Sequence, residues 1–101
     1  MKRVIEVDAD LIELIPLYLQ NRRDEVPQFN ALLDAGNYAA LWGIAHKLHG
    51  SGGGFGFDFL TELGVRMEES AKSCDKAALC AQAAELKDFL DSVEVRPVAT
   101  T

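Results

Sequence analysis

Long apolar runs are missing from this sequence. No stretch of 18 or more apolar residues occurs, and the N-terminus, Met1-Lys2-Arg3-Val4-Ile5-Glu6, meets an acid before any signal-type apolar segment develops. That pattern argues against a membrane span or a secretory leader, and a cytoplasmic location is the expectation. Basic charge is scarce too, with 10 Lys and Arg against 16 Asp and Glu, a formal net charge of -6 and a pI near 4.7. Nucleic-acid affinity depends largely on Lys and Arg neutralising phosphates, so neither DNA nor RNA is an expected partner. The only cysteines, Cys74 and Cys80, lack the two-residue spacing of redox or zinc pairs. They read as small buried or half-buried thiols without a disulfide. No run shows sustained strand-type alternation between turn dipeptides, which puts the expected sheet content close to nil. No serine-histidine-acid set or carboxylate pair stands at a credible spacing, so autonomous kinase or other catalytic activity is not expected.

What is present is helical spacing from end to end. The 101 residues, 49% hydrophobic and 26% charged, suit a single domain with one core, and neither repeat nor linker divides them. Asp8 precedes Leu11, Ile12, Leu14 and Ile15, predicting a short capped helix that ends near Pro16. Pro16 suits the first turn of a second helix reaching about Asp34, with Leu19, Val26, Phe29 and Leu33 on one stripe. Pro27 predicts a kink or break between Arg23 and Val26. Gly36-Asn37 supplies a stop and a new cap, and Leu41, Ile44, Ala45 and Leu48 form the stripe of a third helix. A fourth helix, about 57–73, carries Leu60, Leu63, Met67 and Ala71, with Asp58 near its positive end; after Ser73-Cys74-Asp75 a fifth carries Leu79, Ala83, Leu86, Leu90 and Val93. Four substantial amphipathic helices on short connections predict an all-α, antiparallel up-down four-helix bundle with a short additional N-terminal helix. Its core spans about 8–93, and 94–101 forms a loose C-terminal tail of one domain, 1–101.

The only two histidines, His46 and His49, fall on the third helix. At about 100° per residue their face also holds Ala39, Trp42, Gly43, Gly50 and Gly53, while Leu41, Ile44 and Leu48 point the other way. Both rings therefore look outward. Glycines on such a face are poor helix choices unless something must come close to the backbone. A neutral imidazole is a nucleophile near pH 7 and accepts a phosphoryl group on nitrogen. Gly50, one turn beyond His46, leaves steric clearance for that group, and His49 is placed to steady its oxygens. Trp42, with Gly53 and Phe59, is assigned to a docking surface, and Phe55 and Phe57 to the core. The charged runs Arg22-Arg23-Asp24-Glu25 and Glu68-Glu69 read as solvated helix faces. The run Gly50-Ser51-Gly52-Gly53-Gly54-Phe55-Gly56 lacks the Lys-Ser/Thr pair of a P-loop and has no strand before it, so it ends a helix instead of cradling a nucleotide. With no further histidine and no cysteine spacing beside the pair, no metal is assigned.

The segment from Ala45 to Gly56, followed by Leu60, Leu63 and Met67-Glu68, resembles the signature of histidine-containing phosphotransfer (HPt) domains. The likeness extends from about Asp8 to Leu90 and takes in Ile15-Pro16-Leu17-Tyr18-Leu19 and Asn21-Arg22-Arg23. It implies a monomeric four-helix carrier in which His46 takes a phosphoryl group from a receiver-domain aspartate and passes it to another receiver. It also implies response-regulator receivers or a hybrid sensor kinase as partners, no cofactor on this chain, and Mg²⁺ on the partner receiver. Gly50 matches the family's small residue four positions past the histidine, and Gly56 its glycine near the next helix. Most members carry lysine where this chain has His49, so a permanent positive charge is absent there. The alternative is a helical adaptor that binds a receiver or kinase without phosphoryl transfer.

Overall fold

A computed structural model describes residues 3–99. Strand β1 (Arg3–Asp8) leads into a 3₁₀ helix (Ala9–Leu14), followed by α1 (Ile15–Ala35) and α2 (Tyr38–Gly52). A 3₁₀ turn (Gly53–Phe55) then precedes α3 (Asp58–Lys72), α4 (Lys76–Ser92) and strand β2 (Val93–Val98). The predicted caps at Asp8 and Asn37 form, accepting from Asp10 N and Ala40 N, and Asp75, expected only as part of a turn, caps the next helix by accepting from Ala78 N, each satisfying an amide that the following helix leaves open. Gly36 closes α1 in the left-handed conformation at φ 67.

Four long helices share one core. Helix α2 packs most extensively on α3, α1 touches α2 and α4, and α4 also touches α3. Between them lie Leu19, Phe29, Leu33, Leu41, Ala45, Leu48, Leu60, Leu63, Met67, Leu79, Leu86 and Leu90, all buried, as the periodicity predicts. Phe57 is fully buried and Phe55 packs partly against the core, as assigned from the sequence. Phe89, outside the predicted stripe of α4, is also fully buried, and its ring meets Phe57 edge-on at 6.1 Å.

Several expectations are corrected. The predicted first helix is a single stretch of 3₁₀ helix. Pro27 does not break α1, which runs unbroken through it. An interior proline costs about 3 kcal/mol. Immediately beyond it, Phe29 and Leu33 are 1% and 3% exposed; burying two such side chains contributes roughly 3–6 kcal/mol, more than the proline removes. Arg23, one turn before Pro27, also donates to the Leu90 carbonyl at 3.1 Å and ties this part of α1 to α4. The cysteines are exposed, not buried, because Cys74 occupies the left-handed residue that ends α3 (φ 54) and Cys80 lies on the outer face of α4.

The fold is not purely α. β1 and β2 pair in parallel from Arg3↔Val93 to Asp8↔Val98, so residues 93–98 are a strand and not part of a loose tail. Ile5 and Val7 alternate with Glu6, Val93 and Val95 with Glu94, and Val7 is 1% exposed. Each run is short, and its partner lies at the opposite end of the chain. A parallel pair also needs no turn dipeptide, since here the whole helical body is the crossover.

Candidate functional site

Helix α2 continues through His49, Gly50 and Ser51 to Gly52 despite its glycines, and contacts on both sides hold it. From α1, the Tyr18 hydroxyl and an Arg22 NH group each lie 3.1 Å from Ser51 Oγ. Arg22 also pairs with Glu25 at 2.9 Å, and burial pushes the Glu25 carboxyl above its ordinary range, with Arg22 and then Lys47 pulling it back. From the other side α3 presses so close that a Cβ on Gly52 would stand 2.9 Å from the Phe57 carbonyl and from Thr61 N. A Cβ on Gly64 would stand 2.5 Å from His49 N and 2.9 Å from the Ala45 carbonyl. Only glycine permits this approach, and it fixes the turn of α2 that carries both histidines.

The approach also brings in a residue that the sequence reading missed. Glu68, one turn beyond Gly64, is half-buried and offers a single carboxylate oxygen to both rings. His49 Nδ1 lies 2.7 Å from Glu68 Oε1, a short hydrogen bond, and His46 Nδ1 lies 3.5 Å from the same oxygen. The Glu68 side chain is 15% exposed, against 61% for His46 and 42% for His49. The signal was available: Glu68 follows core Met67 and shares a helix face with Gly64, an interior glycine that costs about 1 kcal/mol in a helix.

His46 is an open ring on a firm base. Trp42, one turn earlier, stacks on it with centroids 4.8 Å apart and planes 11° from parallel, and His49 meets it edge-on at 6.3 Å. Among the described residues its Nε2 has no hydrogen-bond partner. A neutral imidazole carries one proton; when Nδ1 holds it and points at Glu68, the lone pair lies on Nε2, facing solvent. Nothing stands within 4 Å of where a Cβ would sit on Gly50, one turn beyond His46, so the space there is open. Gly53 is exposed one turn further on, where a Cβ would meet Thr61 Oγ1 at 3.4 Å.

Trp42 is half-buried and lines a shallow apolar groove with Tyr38, Ala39, Ala71 and Lys72. Its indole N–H is buried without a partner among the described residues. Phe59 is not brought to this face. Its ring stacks on Phe89 at 4.9 Å, with the Arg3 guanidinium 4.3 Å from its centroid. Nine residues of helix separate it from Glu68, about 13 Å along the axis. It therefore serves the junction of α3, α4 and β1, and a role in the same patch as Trp42 is withdrawn.

Among the described residues no helix is long and apolar enough to cross a membrane. The family model of the Hpt domain matches residues 13–95. No curated protein and no solved structure matches the chain.

Proposed function

Since the chain belongs to the Hpt domain family, whose members act in two-component phosphorelays with receiver domains and kinases, we propose that His46 is its phosphoryl-carrying residue. The supporting observation is the ring itself, 61% exposed and directed by Nδ1 toward a half-buried carboxylate. The Nε2 lone pair attacks the phosphorus of a receiver's aspartyl phosphate in line. The N–P bond forms as the P–O bond to aspartate breaks, and the free carboxylate remains on the receiver. The partner supplies Mg²⁺ and most of the charge stabilisation. Attack leaves both ring nitrogens substituted and the ring positively charged. Glu68 offsets that charge from 3.5 Å as a positioning residue. The reverse step delivers the phosphoryl group to another receiver.

The docking surface is the exposed face around His46, with Trp42, Gly50 and Gly53 giving a partner close access to the backbone. His49, held by Glu68, donates through its other nitrogen to a phosphoryl oxygen when that nitrogen is protonated. The same reading takes the four helices as an antiparallel up-down bundle, consistent with the short connections between them, and the protein as a cytoplasmic monomer forming one domain.

Incubation with a phosphorylated receiver tests the assignment. Wild type is expected to take label, His46→Gln none, and His49→Gln to retain it at reduced rate. Glu68→Ala should slow transfer by roughly two- to tenfold, the scale of one hydrogen bond of about 0.5–1.5 kcal/mol. The same variant should raise the population of the Nε2–H tautomer of His46 in ¹⁵N imidazole spectra. Label lost only in His49→Gln would put the carrier on the other ring, and no label in any form would leave a non-catalytic adaptor.

A further inference from the structure

The donor atoms of His46, His49 and Glu68 all lie within 4.8 Å of one another. Two imidazoles and one carboxylate make a donor set that suits Zn²⁺, with bonds of about 2.0–2.2 Å and ligands about 3.3 Å apart in a tetrahedron. The observed 2.7 Å between His49 Nδ1 and Glu68 Oε1, and 3.5 Å between His46 Nδ1 and that oxygen, bracket this spacing. The rings are exposed enough to turn by what remains. Glu68, the least exposed of the three, is carried by a helix clamped onto α2 through Gly64, so the ligands come from two elements held in fixed register.

We propose that these three side chains form a binding site for a divalent transition metal, Zn²⁺ by donor type, with a fourth position left to water. We further infer that its occupancy and phosphoryl acceptance exclude one another. The exclusion rests on the assignment of His46 as carrier; the metal site does not.

The exclusion follows from the two nitrogens of one ring. Phosphoryl acceptance uses the tautomer with the proton on Nδ1 and the lone pair on Nε2. Metal coordination at Nδ1 requires the opposite tautomer, with the lone pair on Nδ1 and the proton on Nε2. A ring engaged with the metal has no in-plane lone pair left for phosphorus. His49 undergoes the same shift: the proton that its Nδ1 directs at Glu68 passes to Nε2 when Nδ1 takes the metal, so both rings bind as the Nε2–H form. The net charge of -6 favours a cation.

The test is a calorimetric titration of the metal-free protein with zinc chloride in non-chelating buffer near pH 7.5, beside receiver transfer assays with and without zinc. One zinc per chain is expected. His46→Gln, His49→Gln and Glu68→Ala should each weaken binding by at least about tenfold, with circular dichroism confirming that each variant is folded. In ¹⁵N imidazole spectra of the zinc-loaded wild type, His46 should appear as the Nε2–H form, and label uptake should fall as zinc saturates the titrated site. No binding below millimolar zinc, or binding undiminished in Glu68→Ala, overturns the metal site. Full label uptake at saturating zinc overturns the exclusion. Failure of zinc-free wild type to take label counts against the carrier assignment alone, because the titration reads the metal independently.

Discussion

Three glycines inside helices respond oppositely to the same substitution, and the sign of each response tests the packing that builds the site. Gly→Ala in a helix interior gains about 0.8–1.0 kcal/mol from propensity alone. At Gly43 and Gly50 a Cβ would meet nothing within 4 Å, so the gain is expected in full. At Gly64 the new Cβ would stand 2.5 Å from His49 N, 2.8 Å from His49 Cα and 2.9 Å from the Ala45 carbonyl. All three are backbone atoms of α2 and no rotamer relieves them, so the helices must part by close to 1 Å to reach ordinary contact distances. Overpacking of this kind costs about 1–3 kcal/mol and here falls on the most extensive helix pair of the molecule. Urea denaturation should show Gly43→Ala and Gly50→Ala stabilised and Gly64→Ala destabilised, by up to about 2 kcal/mol net once propensity is subtracted. Gly50→Ala should combine higher stability with slower transfer from a receiver, since its methyl group occupies the clearance beside His46. A stabilised Gly64→Ala would refute the close approach of α2 and α3, and with it the placement of Glu68 against both histidines. Unimpaired transfer in Gly50→Ala would refute the steric role of that position.

Two further outcomes follow from other parts of the fold. Burial raises the Glu25 pKa from 4.5 despite Arg22 beside it, so the folded state holds that proton more tightly than the unfolded chain. The stability this contributes is complete below 4.5 and is lost as the pH rises through the raised native value. Denaturation profiles of Glu25→Gln should lack this component, and an unchanged slope just above 4.5 would contradict the burial. Ending the chain after Val93 should lower stability by about 2 kcal/mol, the partial burial of Val95 and Val98 at roughly 1 kcal/mol each; an unchanged urea midpoint would mean that residues 94–99 contribute nothing to the fold.

The helical part of this structure was legible because its determinants are local. Asp8, Asn37 and Asp75 each cap within three residues, and the stripes from Leu41 to Leu48 and from Leu60 to Ala71 bury the faces that their spacing predicts. The strands were not legible because Ile5 and Val7 gain cover only when the far end of the chain returns beside them. His46 stands out in the sequence because the chain has only two histidines, on a glycine-bearing face, and its ring is exposed as that face implies. Glu68 was passed over, because an acid next to Glu69 looks solvated unless the interior Gly64 on its face is read as a point where the helix is pressed onto α2. Phe59 failed for a related reason: an aromatic at the edge of a stripe serves docking or packing equally well, and Phe89 and Arg3 decide the matter from distant positions.

If His46 is the carrier proposed above, the arrangement also explains how its ring stays in water without leaving its orientation to chance. An exposed imidazole on an isolated helix would sample several rotamers, and an attack needing alignment within a few tenths of an ångström would lose rate to that freedom. Here Trp42 stacks on the ring, His49 meets it at a right angle, and Glu68 lies 3.5 Å from its Nδ1. Among the described residues none of the three hydrogen-bonds Nε2. Orientation therefore comes from groups that leave Nε2 without a hydrogen bond, and the turn that carries the ring is set by helix contacts that only glycine at 52 and 64 allows. A glycine-rich stretch that looks like a place where the helix should fail is, on this account, what lets α3 support the histidine turn. Filling Gly64 should disturb His46 orientation even though its Cα never touches that ring, which separates support through backbone packing from direct contact with the phosphoryl group.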